Sequence, residues 1–255
     1  MQYPSNLMIE ASAAPIPEAT IHRERHIDVQ SLHVTPVLSR KLDRPQGYYT
    51  TLTPTRQAQP SDVARVLANH IATMLRQVDV TRGDLLVVGL GNDDYVVDAL
   101  GTQVIQRIQP NPDRALRLCT LLPRVQGVSG IASHDVIRGV VHTGKPRAVV
   151  AIDTLTTRDA ARLGNCYQLT TAGIRPGSGV ANPQPPLDYA TLRVPVLAIG
   201  VPLLISVGAM CNCATLARDT ALTMVTPRNI DELVRRCAVA IADALEQVSL
   251  RSGNA

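Results

Sequence analysis

From Asp84 onward the chain alternates short apolar runs with stretches of helical periodicity, and few folds accept that pattern. "LLVVGL" reads as a strand and "DALGTQVIQRI" as a helix. "ALRLCTLLP" and "SHDVIRGVVHTG" repeat the pair, as do "RAVVAI" and "TRDAARLG", before a further strand at "VPVLAIG". The longest helix is expected in "TPRNIDELVRRCAVAIADALEQVSL", started by Thr226 with Pro227 at its first position. Strand and helix in alternation predict an α/β fold: a mostly parallel, twisted central sheet flanked by helices. The core composition agrees, since the chain has no Phe or Trp and must pack with Val, Leu, Ile and Ala.

Upstream, residues 21–53 alternate apolar and polar positions, which predicts an N-terminal segment of antiparallel strands with a turn near Pro45. Ser61 is the expected N-cap of a helix over "DVARVLANHIATMLRQV". Residues 1–20, rich in Pro and Ala, are expected to be extended or mobile, leaving residues 21–255 as one α/β domain.

Several function classes are disfavoured at once. The net charge is only +4 and the arginines are scattered, so nucleic acid is not an expected partner. No run reaches the roughly 18–20 apolar residues of a membrane span. The nearest, Val194–Met210, is broken by Pro and Gly and reads as a buried strand followed by a loop. The N-terminus lacks the basic start of a secretory signal, and the cysteines Cys119, Cys166, Cys211, Cys213 and Cys237 are odd in number, which suits reduced thiols in the cytoplasm. The "CNC" pair has no second pair at ligand spacing, and His22, His26, His33, His70, His134 and His142 are dispersed, so no metal site is expected.

Two acids sit where an α/β sheet does chemistry. Ligands of open parallel sheets bind beyond the carboxyl ends of the strands. Asp153 ends the run "AVVAID", and Asp98 follows the glycine turn after "LLVVGL". If the two strands are neighbours, the carboxylates converge. Such a pair can cleave an amide: one ionised carboxylate takes a proton from water while the other, protonated, polarises the carbonyl. Asp98, near a helix N-terminus, is favoured as the base. The plainer reading makes Asp98 an N-cap and Asp153 a loop-ordering acid.

Around them, Gly89, Gly91 and Asn92 of "GLGN" are read as turn residues. The third glycine of a dinucleotide fingerprint is missing, and Asp93 and Asp94 would repel a phosphate. "GIRPGSGV", with Arg175, Gly177, Ser178 and Gly179, could hold a substrate backbone or an oxyanion, or be a tight surface loop. Ser178 has no His at a recognisable spacing, so a serine-hydrolase reading is poor.

Together the motifs "VVGLGN…DALG" (Val87–Gly101), "GVSGIASHDVIRGVV" (Gly127–Val141), "AIDTLTTR" (Ala151–Arg158), "GIRPGSGVAN" (Gly173–Asn182) and "VPVLAIGVP" (Val194–Pro202) resemble the germination protease family of spore-forming bacteria. The likeness extends to Gly47–Leu52 and Met224–Val234. It implies an atypical aspartic endopeptidase, with a fold similar to hydrogenase-maturation proteases, that degrades small acid-soluble spore proteins in the spore core. It also implies that Asp98 and Asp153 are catalytic, that no cofactor is needed, and that the chain is a homo-oligomer, by family habit a tetramer. Arg158 and residues 173–182 become candidate substrate or oxyanion contacts, and an extended substrate is expected to add as a strand at a sheet edge.

The chain departs from the family at several places. The segment "SNLMIEA" (Ser5–Ala11) matches the site where relatives remove a propeptide, with Asn6 where Asp is usual, so the corresponding cut would fall between Asn6 and Leu7. Thr102 replaces a Pro, Arg175 replaces a His, and the region before the last helix is shortened. Two alternatives accompany the peptidase: an inactive binding or regulatory homologue, and a maturation-type peptidase acting on a metal-loaded partner.

Overall fold

The computed structural model describes residues 5–12, 15–177, 184–211 and 217–251. Among them, nine strands form one sheet: β1 (Thr20–Glu24), β2 (Ile27–Val34), β3 (Gly47–Pro54), β4 (Gly83–Gly89), β5 (Leu116–Leu121), β6 (Ala148–Thr157), β7 (Tyr167–Thr170), β8 (Val196–Ser206) and β9 (Met224–Val225). Their order is β1-β2-β3-β7-β8-β6-β4-β5, with β9 on β8. The α/β class is as expected. Parallel pairing is confined to β5-β4-β6-β8, and the N-terminal antiparallel strands join the same sheet through β7.

The helices are α1 (Pro36–Leu42), α2 (Pro60–Gln77), α3 (Leu100–Ile105), α4 (Gln126–Ser129), α5 (Ser133–Gly144), α6 (Tyr189–Leu192), α7 (Val207–Cys211), α8 (Arg218–Leu222) and α9 (Ile230–Arg251). Side chains alternate across a strand, so a strand covered on both sides must be apolar throughout. In β4 and β6, Leu85, Val87, Val150 and Ile152 enter the core shared with α2, α3 and α9. Leu86, Val88, Val149 and Ala151 pack instead with Ile137 and Val141 of α5.

Local chemistry moved some boundaries. Helix α2 starts at Pro60, and Gln59, not Ser61, is its N-cap. Helix α9 starts at Ile230 because Thr226 spends its hydroxyl on the Leu203 carbonyl, 2.9 Å away. The segment "TRDAARLG" supplies only a 3-10 turn, Ala160–Arg162, held by the Asp159 side chain on the Ala161 amide. So short a link cannot carry a crossover helix, and the chain returns as the unexpected antiparallel strand β7. Helix α1 interrupts what read as continuous strand: Thr35 caps it and Pro36 opens it.

The N-terminal segment is also not as expected. Residues 5–12 are docked rather than mobile. Leu7 is wholly buried against Leu155 and Cys166, and Met8 joins Leu32, Leu38 and Tyr49. Glu10 is buried and bonds to Thr157, to the Arg158 backbone and to Arg162. Burial pushes its carboxyl up, but hydrogen bonds from Ser5, Thr157, Arg158 and Arg162 outweigh this and hold it below the usual range.

The turn after β4 requires glycine at two facing positions. A Cβ on Gly101 would lie 2.4 Å from the Leu90 carbonyl oxygen, and one on Gly89 would lie 2.5 Å from the Gly101 carbonyl oxygen. Helix α3 therefore rides directly on the end of β4. Since the blocking atoms are backbone, Gly101→Ala is expected to cost about 3 kcal/mol, the upper end for overpacking, read as a lower midpoint in urea unfolding. An unchanged midpoint would mean that the contact relaxes freely.

Candidate active site

Strand β6 outruns its neighbour. Its pairing with β4 ends at Ile152, opposite Gly89, and the Leu90 amide adds one more bond to the Ile152 carbonyl at 2.9 Å. Beyond that point the β4-side edge of β6 is open. Backbone groups there need partners, and the successive amides that face this edge all find side-chain oxygens. The Thr154 N–H donates to Asp153 Oδ1 (2.9 Å), the Thr156 N–H to Asn6 Oδ1 (3.0 Å), and the Arg158 N–H to Glu10 Oε2 (2.8 Å).

The open edge forms one side of a cleft of about 1060 Å³ lined by Asp98, Asp153, Thr154, Thr156, Gly91, Asn92, Gln168 and Arg175, among others. The cleft lies past the carboxyl end of β4, where a parallel sheet offers a ligand site, and beside the part of β6 that runs on to Thr157, so Asp153 sits within its strand rather than at its end as the sequence suggested. Asp98 reaches it from a 3-10 turn, Val96–Asp98, between β4 and α3. Gly91, at φ +103°, lets the chain fold back so closely that a Cβ there would lie 2.0 Å from the Asp98 carbonyl oxygen. This return brings the Asn92 amide to Asp98 Oδ2 at 2.7 Å. Ala99, not Asp98, is the N-cap of α3. The plainer reading of Asp98 as a helix cap therefore fails.

The two carboxyls sit in different settings. Asp153 is 8% exposed, and its pKa is pushed up to about 8 by burial and then by the charge of Asp98, against the Thr154 amide. Asp98 is also raised by burial, while the Asn92 amide favours its ionised form. Asp153 is therefore the carboxyl that holds its proton toward higher pH, and Asp98 the one whose ionised form is favoured by a backbone amide. Asp98 lies just before the N-cap of α3, as the sequence suggested, and is less buried than Asp153.

The other expected site residues divide. Gly91, Asn92, Arg175 and Gly177 line the cleft, whereas Gly89 lies below it against Gly101. Ser178 and Gly179 lie outside the described residues. Arg158 is not in the cleft wall: its guanidinium bonds to the Glu10 carbonyl and faces the Glu10 carboxylate, so it anchors the N-terminal segment. Asn6 lines the cleft and Leu7 is buried just behind it, which puts the bond between them at the cleft edge.

Gln168, Arg44, Thr154 and Thr156 were not singled out from the sequence. The Gln168 carboxamide accepts from the Met8 amide and donates to the Asn6 carbonyl at 3.1 Å, and Arg44 donates to the Ser5 carbonyl at 3.0 Å. For the threonines a signal existed: "DTLTT" places hydroxyls two apart, hence on one side of a strand otherwise apolar throughout. Among the described residues no group of three or more His, Cys, Asp or Glu could hold a metal ion, and no helix is long and apolar enough to cross a membrane.

Comparison with known proteins agrees with the motifs. A family model described as "Germination protease" matches residues 16–220. The germination protease of Bacillus cereus (strain AH187) is 34% identical over 199 residues, covering 71% of this chain and 54% of that protein. The germination protease of Bacillus pumilus (strain SAFR-032) is 34% identical over 220 residues, covering 78% and 57%. The chain thus spans a little over half the length of these relatives. A NiFe hydrogenase maturation protease from Thermococcus kodakarensis KOD1 superposes with a TM-score of 0.39 and 21% identity, covering 68% of this chain and 98% of that one.

A raised carboxyl pKa in the folded state means that the native protein holds a proton the unfolded chain releases. Stability from this group is full below the ordinary value of 3.8 and is lost as pH rises toward about 8. Asp153→Asn removes that loss. Its melting temperature is expected to match wild type near pH 4 and to exceed it by a margin that grows up to about pH 8. Calorimetry across this range checks it, and a pH-independent difference would contradict the assigned protonation.

Proposed function

The chain belongs to the germination protease family, and from that premise we propose that it is an endopeptidase whose Asp98 and Asp153 activate water against a peptide bond. The observation that carries the reading is the buried Asp153, its carboxyl pushed up to about 8, beside Asp98 in a cleft past the end of β4. Asp98, ionised, takes a proton from a water as its oxygen adds to the carbonyl carbon. Asp153 donates its proton toward the carbonyl oxygen. Collapse of the tetrahedral intermediate returns that proton to Asp153, breaks the C–N bond, and passes the proton on Asp98 to the leaving amine. A non-catalytic binding homologue has no chemical need for a carboxyl buried at this energetic cost beside a second one.

The proposed substrates are small acid-soluble spore proteins, met in the spore core by a homo-oligomer of this chain. The short stretch of β6 beside Asp153 that β4 leaves unpaired, before Asn6 takes up the edge at Thr156, supports docking of an extended substrate next to the carboxyls. Arg175 and Gly177 stand on the cleft wall as candidate contacts.

The test is incubation of wild type, Asp98→Asn and Asp153→Asn with a small acid-soluble spore protein, reading cuts by mass spectrometry. Wild type is expected to give discrete cuts, and each variant to be slower by about 10²–10⁴-fold. The wild-type rate should fall on the acid side as Asp98 gains a proton, at a pH above the ordinary 3.8, and on the alkaline side near pH 8 as Asp153 loses its own. Wild-type rates in either variant, or an untouched substrate in the wild-type reaction, would sink the reading.

A further inference from the structure

We propose that Thr154 is a positioning residue that fixes the separation of the two carboxylates; the proposal rests on the carboxylate-pair reading above. Asp98 and Asp153 come from different elements, a 3-10 turn and a strand, so something must hold one against the other. Thr154 touches both. Its backbone N–H donates to Asp153 Oδ1 at 2.9 Å. Its side-chain Oγ1 donates to the carbonyl oxygen of Val97, also at 2.9 Å. Val97 immediately precedes Asp98 in the turn Val96–Asp98.

The turn's other hydrogen bonds come from its own loop and helix α3: the Asp98 amide on the Tyr95 carbonyl at 2.8 Å, the Ala99 amide on the Val96 carbonyl at 3.1 Å and the Asn92 amide on Asp98 Oδ2, while the Val97 side chain packs against the main core. These hydrogen bonds shape the turn but do not connect it to β6. Among the described residues, the Thr154 hydroxyl is the hydrogen bond that crosses from the strand of one acid to the turn of the other. A valine at 154 keeps the volume and the β-branch yet cannot donate, so it isolates the hydroxyl.

Loss of the crossing bond lets the Asp98 turn move away from β6. Among the described residues, Asp98 is the one ionisable group that acts on Asp153 through its charge. The other charged groups on the cleft wall are Asp43, Arg44, Arg175 and Asp188, and its tyrosines are Tyr49 and Tyr95. Retreat of Asp98 should therefore lower the pH at which Asp153 titrates.

The experiment follows the Asp153 carboxyl by carbon-13 NMR without substrate in wild type, Thr154→Val and Thr154→Ser, with the resonance assigned by its loss in Asp153→Asn. The same proteins are assayed for kcat and KM on a small acid-soluble spore protein. The valine variant is expected to titrate toward the ordinary carboxylate range and to lose on the order of a hundredfold in kcat with little change in KM, as small misplacements of reacting groups do. Serine should restore both. If the valine variant does not fold, Thr154→Ala takes its place against serine. An unchanged Asp153 titration in the variant lacking the hydroxyl overturns the proposal, whatever the rate does, since a mere substrate contact would change only the assay. A wild type that cleaves nothing sinks the peptidase reading, while the titration still decides whether Thr154 sets the pair.

Discussion

A parallel strand that runs past its neighbour exposes a row of amides and carbonyls that must be satisfied by something other than a sheet. Strand β6 is in that position from residue 153 onward, and much of what is distinctive in this chain answers the need. The amides of Thr154, Thr156 and Arg158 are met by Asp153, Asn6 and Glu10. A full-length β4 would satisfy the same groups with backbone and would fill the cleft. Leaving the edge to side chains and to the Asn6 backbone amide, which donates to the Thr156 carbonyl at 3.1 Å, keeps the strand in place while keeping the space beside Asp153 open.

The same arrangement governs charge. A carboxyl in a β-sheet core pays a desolvation penalty that a single amide cannot cancel, so Asp153 stays protonated far above the ordinary range. Asp98 lies nearer the open cleft and gains the Asn92 amide through a turn that only a glycine at position 91 can make, given how close the Asp98 carbonyl comes. The chemistry of the pair therefore depends on two backbone facts, the premature end of β4 pairing and the left-handed turn at Gly91. Neither depends on the identity of a substrate.

This explains what the sequence disclosed. Asp98 and Asp153 stood out as acids that follow two apolar runs in an alternating α/β pattern, but spacing left the helix-cap and loop-acid readings open, and it was the resemblance of the motifs that favoured the pair. Residues whose role comes from pairing register were not legible. Arg158 follows Asp153 closely and carries a charge, so it invites a role in contacting substrate or an oxyanion, yet it lies at the far end of the β6 edge against Glu10. Gln168 sits in a short strand with no periodic signal of its own, because β7 is formed by the shortness of the link before it rather than by a strong pattern. Helix α1 hid for a related reason: seven residues, about two turns, opened by Pro36 are too few for helical periodicity to register.

The N-terminal segment carries the argument furthest from composition. Rich in Pro and Ala, it looks like a tail, but a tail makes no demands on the body, and this one is answered at each step. Leu7 fills a gap lined by Leu155 and Cys166, Asn6 replaces a missing strand partner, and Glu10, the most buried of the charges, is compensated by Arg158 and Arg162, the latter also facing Asp159. Few of these contacts could be anticipated from residues 1–20 by themselves, since each is specified by the far end of β6. The segment is ordered because the strand bearing Asp153 is incomplete without it, and the same incompleteness is what opens the cleft.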